Sequence, residues 1–559
     1  MSLNQALDRF AGVLDRRPLV VALSLFIVAA SAYGFRLGLP DIYGDDEALD
    51  AGVVWEMAEN DHWLLPFFND EMVPEKPPLF FWLAAGVARI GGVSETTVRL
   101  PSVVAAALTV MTVFLAGRRL VGAGPAFLAA LIVLTAPMMV ARARVGRADM
   151  VLVACATGAF FAAAISLAPN AARRHRNAFW LLAALAVLAK AGAGLGVVAC
   201  GTVALLLGAR KGPLRLATPE GIIGFVVLAF SWHVFATLAL GQSFVSVNLL
   251  QQNLNHLVGG IDGPPVKRGI EHLLKPTINL IGGVMPWSIL GLVAVRGWRT
   301  AWSTNGKLGL IWAGAGLAFF SAAASRHSYY VAPLVPPLAL FLGTLLWNEK
   351  SAQPRAPVVR IALVSLSIAV IVAIVGVVLL RAWSAADWVG MSVSDHTRAA
   401  MLWEWWSRRS ALAVVLLAVL AAASIFSVRM TWRRQAAWAV AVCLLAAAGI
   451  QAITEAALGS ESTAHLSLKS FAGEVARVDG PVYFYGPVIR QIVYHARRHI
   501  HHASLAELSA RSSFYLIATE SELLELRTRL VQPVAELAAG DGIVNNSDVA
   551  HVVLLRVDR

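Results

Sequence analysis

Asp45, Asp46 and Glu47 stand side by side just beyond the first long apolar run, and Glu75-Lys76-Pro77-Pro78 follows before another apolar stretch opens at Leu79. Adjacent carboxylates raise one another's proton affinity toward the range in which a general base works. The same acids could instead hold a cation, or form a solvated loop. Acidic residues influence membrane orientation little, so the solvated loop explains less than it first suggests; on spacing alone the readings stay open. Glu75 and Lys76 place an acid and a base at the start of a helix whose first turn carries two prolines, a position proline tolerates well. The plain alternative there is an interfacial amphipathic helix with a local ion pair. Farther along, Arg142, Arg144, Arg147 and Asp149, then Lys190, then Arg326, His327, Tyr329 and Tyr330 sit at the ends of apolar runs. Ionisable side chains at membrane depth are costly and face a cavity or a partner. Arginines and lysines gathered beside acids suit an anionic lipid headgroup, because a guanidinium holds phosphate oxygens by paired hydrogen bonds.

These residues must be positioned by a membrane protein. Of the 559 residues 58% are hydrophobic and 14% charged, against roughly a quarter charged in soluble domains. The net charge of +12 is scattered through short loops and not gathered in a stripe, which speaks against nucleic acid as a partner. Basic clusters at Arg9, Arg16 and Arg17, at Arg118 and Arg119, at Arg173 to Arg176, at Arg210 to Arg215, at Arg296 and Arg299, at Lys350 and Arg355, and at Arg429 to Arg434 mark inner loops. Sides then alternate if residues 77–92 lie along the outer surface. The crossings fall at 18–39, 99–117, 122–140, 149–168, 178–190, 193–209, 219–240, 277–295, 307–323, 328–347, 358–381, 410–428 and 434–454, about thirteen in all. The expected fold is therefore an α-helical polytopic membrane domain, residues 1–455, with surface helices in a first outer loop at 40–98. Residues 456–559 read as a separate, small α/β domain outside the membrane, with strands at Val482–Tyr485, Phe514–Ala518 and Val552–Arg556. The N-terminus is expected in the cytoplasm and the C-terminal domain in the periplasm. Cys155, Cys200 and Cys443 lie in apolar runs and read as packing residues. His499, His501 and His502 read as exposed turn residues with no carboxylate nearby.

The order Asp46-Glu47, Gly52-Val53-Val54-Trp55-Glu56-Met57, Trp63-Leu64-Leu65-Pro66, Asn69, Glu75-Lys76-Pro77-Pro78, Trp82, Arg99-Leu100-Pro101-Ser102 and Gly117-Arg118-Arg119-Leu120 resembles the aminoarabinose-transferase branch of the C-type, or protein-mannosyltransferase-like, glycosyltransferases. Weaker matches follow at Arg144 to Asp149-Met150, Lys190, Pro286-Trp287 and Arg326 to Tyr330. The resemblance implies a transferase that takes a sugar from a polyprenyl phosphate with inversion at the sugar carbon. It implies Asp46 as base with Glu47 beside it, and Glu75 and Lys76 as residues for a cation or an acceptor phosphate. Arg144, Lys190 and Arg326 become contacts to the donor phosphate, with Asp149 and Tyr330 in the same substrate-binding set. Where the family places a metal-binding histidine this chain reads Asn253, with His256 three positions on; a divalent cation, if used, would fall to Glu75 and His256.

The expected function is an inner-membrane transfer of a sugar to lipid A or lipopolysaccharide. An exported protein is the alternative acceptor. A polytopic transporter or flippase is the rival class, and it would show internal repeats or broken helices at mid-membrane depth, whereas here the charges collect at the outer edge.

Overall fold

A computed structural model describes residues 12–73, 76–168, 170–208, 216–248, 270–293, 298–323, 327–348, 353–354, 467–504, 507–508, 513–529, 534–544 and 548–558. Among these, four helices are long and apolar enough to cross a bilayer: Glu95–Val121, Arg173–Gly208, Pro219–Leu240 and the continuous stretch Ser328–Leu346. Ala123–Thr135 and Pro137–Ala143 meet at a bend of 57° and together are long and apolar enough for a broken span or a re-entrant loop. The bend has a local cause, since Pro137 cannot donate into the preceding turn and Ala136 is extended (φ −64°, ψ 123°). Pro18–Gly34, Asp149–Ile165 and Gly306–Ala322 are shorter apolar helices. The chain is a multi-pass membrane protein. The crossings expected at 358–381, 410–428 and 434–454, and the boundary at 455, lie outside the described residues.

The Arg173–Gly208 segment has 36 residues, which as a straight helix would reach about 54 Å, far more than one bilayer needs. It is broken at Lys190 (φ −155°) and Ala191 (φ 36°). A Cβ at Gly194 would overlap the backbone carbonyl of Ala186, so the second arm folds back tightly on the first. Glycine at 194 is what allows the two backbones to touch, and Lys190 is left at the apex of the resulting hairpin.

Two helices occupy the first loop, Asp45–Glu59 and Leu79–Gly91. The first is no surface helix: Glu47 to Ala58 are all buried, including Asp50 and Glu56. It packs against Leu79–Gly91 on one side and against Arg490–Ala496 from the C-terminal part on another. The next helix begins at Glu95 with a reciprocal cap, in which the Ser94 hydroxyl accepts from the Thr97 amide at 3.2 Å and the Thr97 hydroxyl accepts from the Ser94 amide at 2.9 Å. That start fixes the register that turns Arg99 toward Glu47.

The C-terminal part is a five-stranded sheet in the order 501–502, 482–484, 513–519, 548–558, 534–544. Val482–Phe484 pairs in parallel with both its neighbours, and the last three strands are antiparallel. The three strands expected from sequence are present; His501–His502 and Val534–Val544 are additional. Lys469–Arg477 packs on Val534–Val544 and Glu520–Arg529 on Ser513–Thr519 and Asp548–Asp558, while Arg490–Ala496 packs between Lys469–Arg477 and Asp45–Glu59. One apolar core runs from Leu468, Phe471 and Ile492 into Ile42, Trp55 and Met57, so this part is docked on the first loop and not separate from it.

Replacing Gly194 with valine forces the hairpin arms apart and is expected to cost at least about 1–3 kcal/mol, whereas Gly224→Ala, in the open face of Pro219–Leu240, should keep stability or raise it by up to about 1 kcal/mol. Thermal unfolding of the two detergent-purified variants distinguishes them.

Candidate functional site

Successive residues of a helix point about 100° apart, so the three adjacent acids at the start of Asp45–Glu59 face three directions, and each meets a different arginine. Asp45 accepts from Arg490 Nη1 at 2.7 Å. Asp46 accepts from Arg147 Nη1 at 2.7 Å. Glu47 accepts from Arg99 Nε at 2.7 Å and Nη2 at 3.2 Å, and from the Gly146 amide at 2.8 Å. The helix N-terminus itself favours negative charge here.

The three pairs differ in exposure. Glu47 and Arg99 are sealed, with side chains 9% and 4% exposed, while Asp46 keeps 38%. Arg99 also donates to the carbonyls of Leu37, Pro40 and Asp41 at 3.1, 2.6 and 3.3 Å, lacing the chain ahead of the helix to the bundle. Glu47, expected as a catalytic neighbour of Asp46, is therefore placed as a structural tie: its oxygens are satisfied and water is excluded.

One turn after Asp46 lies Asp50, almost fully buried, which accepts from Lys76 Nζ at 2.6 Å and lies 3.7 Å from Arg147 Nε. Burial raises the proton affinity of Asp50 in spite of Lys76 and Arg147. At Asp46 burial also pulls upward, but the charges of Arg147, Lys76 and His327 outweigh it and hold this carboxyl below the usual range. Asp46 is thus the ionised, accessible acid of the pair. Arg147 is fixed as a cation: burial works against its charge, and the acids around it, Asp149 and Asp50 foremost, raise its proton affinity further.

Arg147 Nη1 also donates to the Tyr329 hydroxyl at 3.0 Å. Tyr329 is ringed by cations, with Arg142 Cζ 4.8 Å, Arg147 Cζ 5.1 Å and Lys190 Nζ 5.6 Å from its ring centre. Lys190 lies 4.9 Å from the centre of the Tyr330 ring and donates to buried Asp149. His327 stacks on Tyr329 at 5.3 Å. The break at Lys190, the N-terminus of Asp149–Ile165 and the 3-10 turn Ser328–Leu334 thereby bring residues from three parts of the chain to one aromatic floor beside Asp46. Such a group can hold a phosphate, since a guanidinium has five donors and an ammonium three, and the ion pairs described use only part of them.

Of the residues singled out from sequence, Asp46, Lys76, Asp149, Lys190 and Tyr330 come together here. Arg144 Nη1 donates to the carbonyls of Tyr33 and Phe35, both at 2.7 Å, closing the end of Pro18–Gly34. Arg142 and Arg147 are arginines over the Tyr329 ring. Glu75, Arg326 and His256 lie outside the described residues, and among the described ones no three His, Cys, Asp or Glu converge as a metal group. Sequence reasoning missed Asp50 as a site member and Arg490 as a partner of Asp45, and it noted Tyr329 only as a neighbour of Arg326 and Tyr330. Asp50 had a signal, four residues beyond Asp46 on one helical face. The histidines are corrected too: His501 and His502 form a short strand, and carboxylates are at hand, with His499 Nε2 2.6 Å from Glu56 Oε1, His499 Nδ1 3.1 Å from Asp70 and His501 Nε2 3.4 Å from Asp70.

A crystal structure of ArnT from Cupriavidus metallidurans bound to undecaprenyl phosphate superposes with a TM-score of 0.77 over 95% of this chain and 97% of that one, at 18% identity. The fold is that of the aminoarabinose-transferase-like C-type glycosyltransferases. The apo form of the same ArnT gives a TM-score of 0.75 at 19% identity. In sequence, residues 75–235 match the dolichyl-phosphate-mannose-protein mannosyltransferase family. An undecaprenyl phosphate-alpha-4-amino-4-deoxy-L-arabinose arabinosyl transferase of Shewanella sediminis is 26% identical over 63% of this chain and 65% of its own length, and one of Erwinia tasmaniensis 25% identical over 65% and 66%. The chain thus spans just under two thirds of the length of these relatives, and the aminoarabinose-transferase-like resemblance drawn from its residues holds in both sequence and fold.

In this fold the Glu47–Arg99 pair is a tie between the first loop and the bundle, so Arg99→Met, which leaves Glu47 charged and unpaired in the interior, is expected to destabilise by about 3–5 kcal/mol. Glu47→Gln combined with Arg99→Met should recover much of that loss. Detergent-phase melting of the single and double variants checks both.

Proposed function

We propose that the protein is an inner-membrane glycosyltransferase that moves a sugar from a polyprenyl-phosphate donor to lipid A or lipopolysaccharide at the periplasmic face, with inversion at the sugar carbon. Its membrane domain, residues 1–455 with about thirteen crossings, starts in the cytoplasm, and residues 456–559 form a periplasmic α/β domain over the active site. The observation that carries the proposal is the meeting of the accessible carboxylate of Asp46 with the cations on Tyr329 and Tyr330. The relatives named for undecaprenyl phosphate-linked aminoarabinose supply the donor class.

The donor phosphate sits against Arg147, Lys190 and Arg142, with Lys76 beside Asp50; Arg326 is the further contact that the family resemblance implies. An acceptor hydroxyl then attacks the sugar carbon from the face opposite the phosphate. The new oxygen–carbon bond forms as the bond to the phosphate oxygen breaks, the electron pair leaves with the polyprenyl phosphate, and Asp46 receives the hydroxyl proton. Cations fixed in advance stabilise the charge that grows on the leaving phosphate. Where the acceptor is itself an ionised phosphate, Asp46 and Lys76 orient it and no proton moves. No step uses a metal; Glu75 and His256 are the residues that would hold one. A protein acceptor is the second reading, favoured by the match to a protein mannosyltransferase family.

Asp46→Asn is expected to abolish transfer, by about 10²–10⁴-fold as for a lost general base, while the melting profile stays that of the wild type. Mass spectrometry of lipid A and lipopolysaccharide from cells with and without the gene reads the product; an unchanged envelope with altered glycoproteins moves the acceptor to protein, and a fully active D46N overturns the proposal.

Tyr329→Phe removes only the hydroxyl that accepts from Arg147 and should cost little. Tyr329→Ala removes the ring beneath three cations, each contact worth about 0.5–2 kcal/mol, and should weaken donor binding at least about tenfold. Titration with undecaprenyl phosphate in nanodiscs distinguishes the two.

A further inference from the structure

The C-terminal sheet and its helices grip the Asp45–Glu59 helix at both ends. At the N-terminal end Arg490 holds Asp45, Gln491 Nε2 donates to the Tyr43 carbonyl at 2.5 Å, and His495 Nε2 lies 2.9 Å from the Ile42 carbonyl. At the other end His499 meets Glu56 at 2.6 Å, and Asn69 exchanges two hydrogen bonds with the Ile500 backbone, at 2.8 and 2.7 Å. The helix that carries Asp46 therefore takes its position from residues more than four hundred positions downstream.

The electrostatics at the first end concern Asp46 directly. Asp45 feels Arg490, Asp46 and Lys76; Asp46 in turn feels Arg147, Lys76 and His327, with Asp45, Asp50 and Tyr329 facing it. Burial raises the proton affinity of Asp45, and Arg490 is the largest force opposing it. Without Arg490 a half-buried carboxylate would stand unpaired next to Asp46 and compete for Lys76, which already serves Asp50. Its negative field would raise the proton affinity of Asp46 and loosen Asp46 from Arg147.

We propose that Arg490 is a positioning residue of the transfer reaction, which, by neutralising Asp45 across the junction between the C-terminal sheet and the first loop, leaves Asp46 ionised, paired with Arg147 and facing the acceptor. This rests on the transferase reading above, so the test has one readout that depends on transfer and one that does not. Full-length wild type, Arg490→Gln, Arg490→Lys and the double variant Asp45→Asn/Arg490→Gln are purified in nanodiscs. Transfer is measured against pH with undecaprenyl phosphate-alpha-4-amino-4-deoxy-L-arabinose as donor and lipid A as acceptor. Separately, the pH midpoint for modification of Asp46 by a water-soluble carbodiimide, to whose central carbon the carboxyl oxygen adds as the carboxyl proton passes to nitrogen, is read by peptide mass spectrometry.

For R490Q the expectation is a kcat lowered about tenfold with donor KM changed less than about twofold, and an upward move of both the acidic limb of kcat and the Asp46 labelling midpoint. R490K, which keeps the charge, should retain much of the rate. D45N/R490Q should return the midpoint and most of the rate, a recovery that a residue important only for folding would not give. An Asp46 midpoint identical in wild type and R490Q, or a double variant as impaired as the single, overturns the proposal. If the wild type transfers no sugar, the transferase reading fails, and the labelling midpoint still decides whether Arg490 controls Asp46. Should R490Q fail to fold, R490K and the double variant carry the same comparison.

Discussion

Three negative charges on consecutive residues cannot share one environment at the edge of a bilayer, where each unpaired carboxylate repels its neighbours and loses hydration. The Asp45–Glu59 helix resolves this by turning each acid toward its own arginine. Arg490 comes from the C-terminal sheet region, Arg147 from the loop before Asp149–Ile165, and Arg99 from the first turns of Glu95–Val121. Satisfying one short helix N-terminus therefore closes contacts between parts of the chain remote in sequence. The capped start at Ser94, the short turn at Gly146 and the docking of Arg490–Ala496 can all be understood as consequences.

Within that arrangement burial sorts the pairs into two kinds. A sealed ion pair adds little net stability but is costly to break, so it fixes geometry. Glu47–Arg99 and Asp50–Lys76 are of this kind, with carboxylates 9% and 2% exposed. Asp46 keeps the same type of partner and yet remains open to solvent. The neighbours shielded from water hold the helix still, and among these three carboxylates Asp46 is the one that keeps substantial access to solvent. Asp149 does for Lys190 what Asp50 does for Lys76: it fixes a cation in place before any ligand arrives.

Much of this was legible in the sequence, and the part that was not has physical reasons. Apolar runs bounded by glycine, proline and arginine gave Pro219–Leu240 to the residue and the break at Lys190 nearly so, because a span is a one-dimensional property of the chain. Asp46, Lys76 and Lys190 stood out because charge is expensive where they lie. Asp50 did not, although it lies one helical turn beyond Asp46, because in sequence this stretch reads as part of an outer loop and not as a buried helix. Arg144 was singled out by the family resemblance and Arg142 and Arg147 only as its basic neighbours; beyond the end of the Pro137–Ala143 helix the direction of a side chain no longer follows from spacing. The docking of the C-terminal sheet was hidden for another reason: Asp45, Glu56 and Asn69 stood out within the first loop, but no local spacing points to Arg490, His499 and Ile500 more than four hundred positions downstream.

The aromatic floor explains how so many cations can wait together at an apolar boundary. Arg142, Arg147 and Lys190 would repel one another if they shared only a hydrocarbon wall. Tyr329 offers all three the negative face of one ring, and Tyr330 adds a second to Lys190. Asp46, Asp50 and Asp149 supply the balancing charge from the side. The acids thus balance the cations, and the ring holds the cations at separate points of one surface. Without the ring the same charges could be held together only by tighter pairing with the acids.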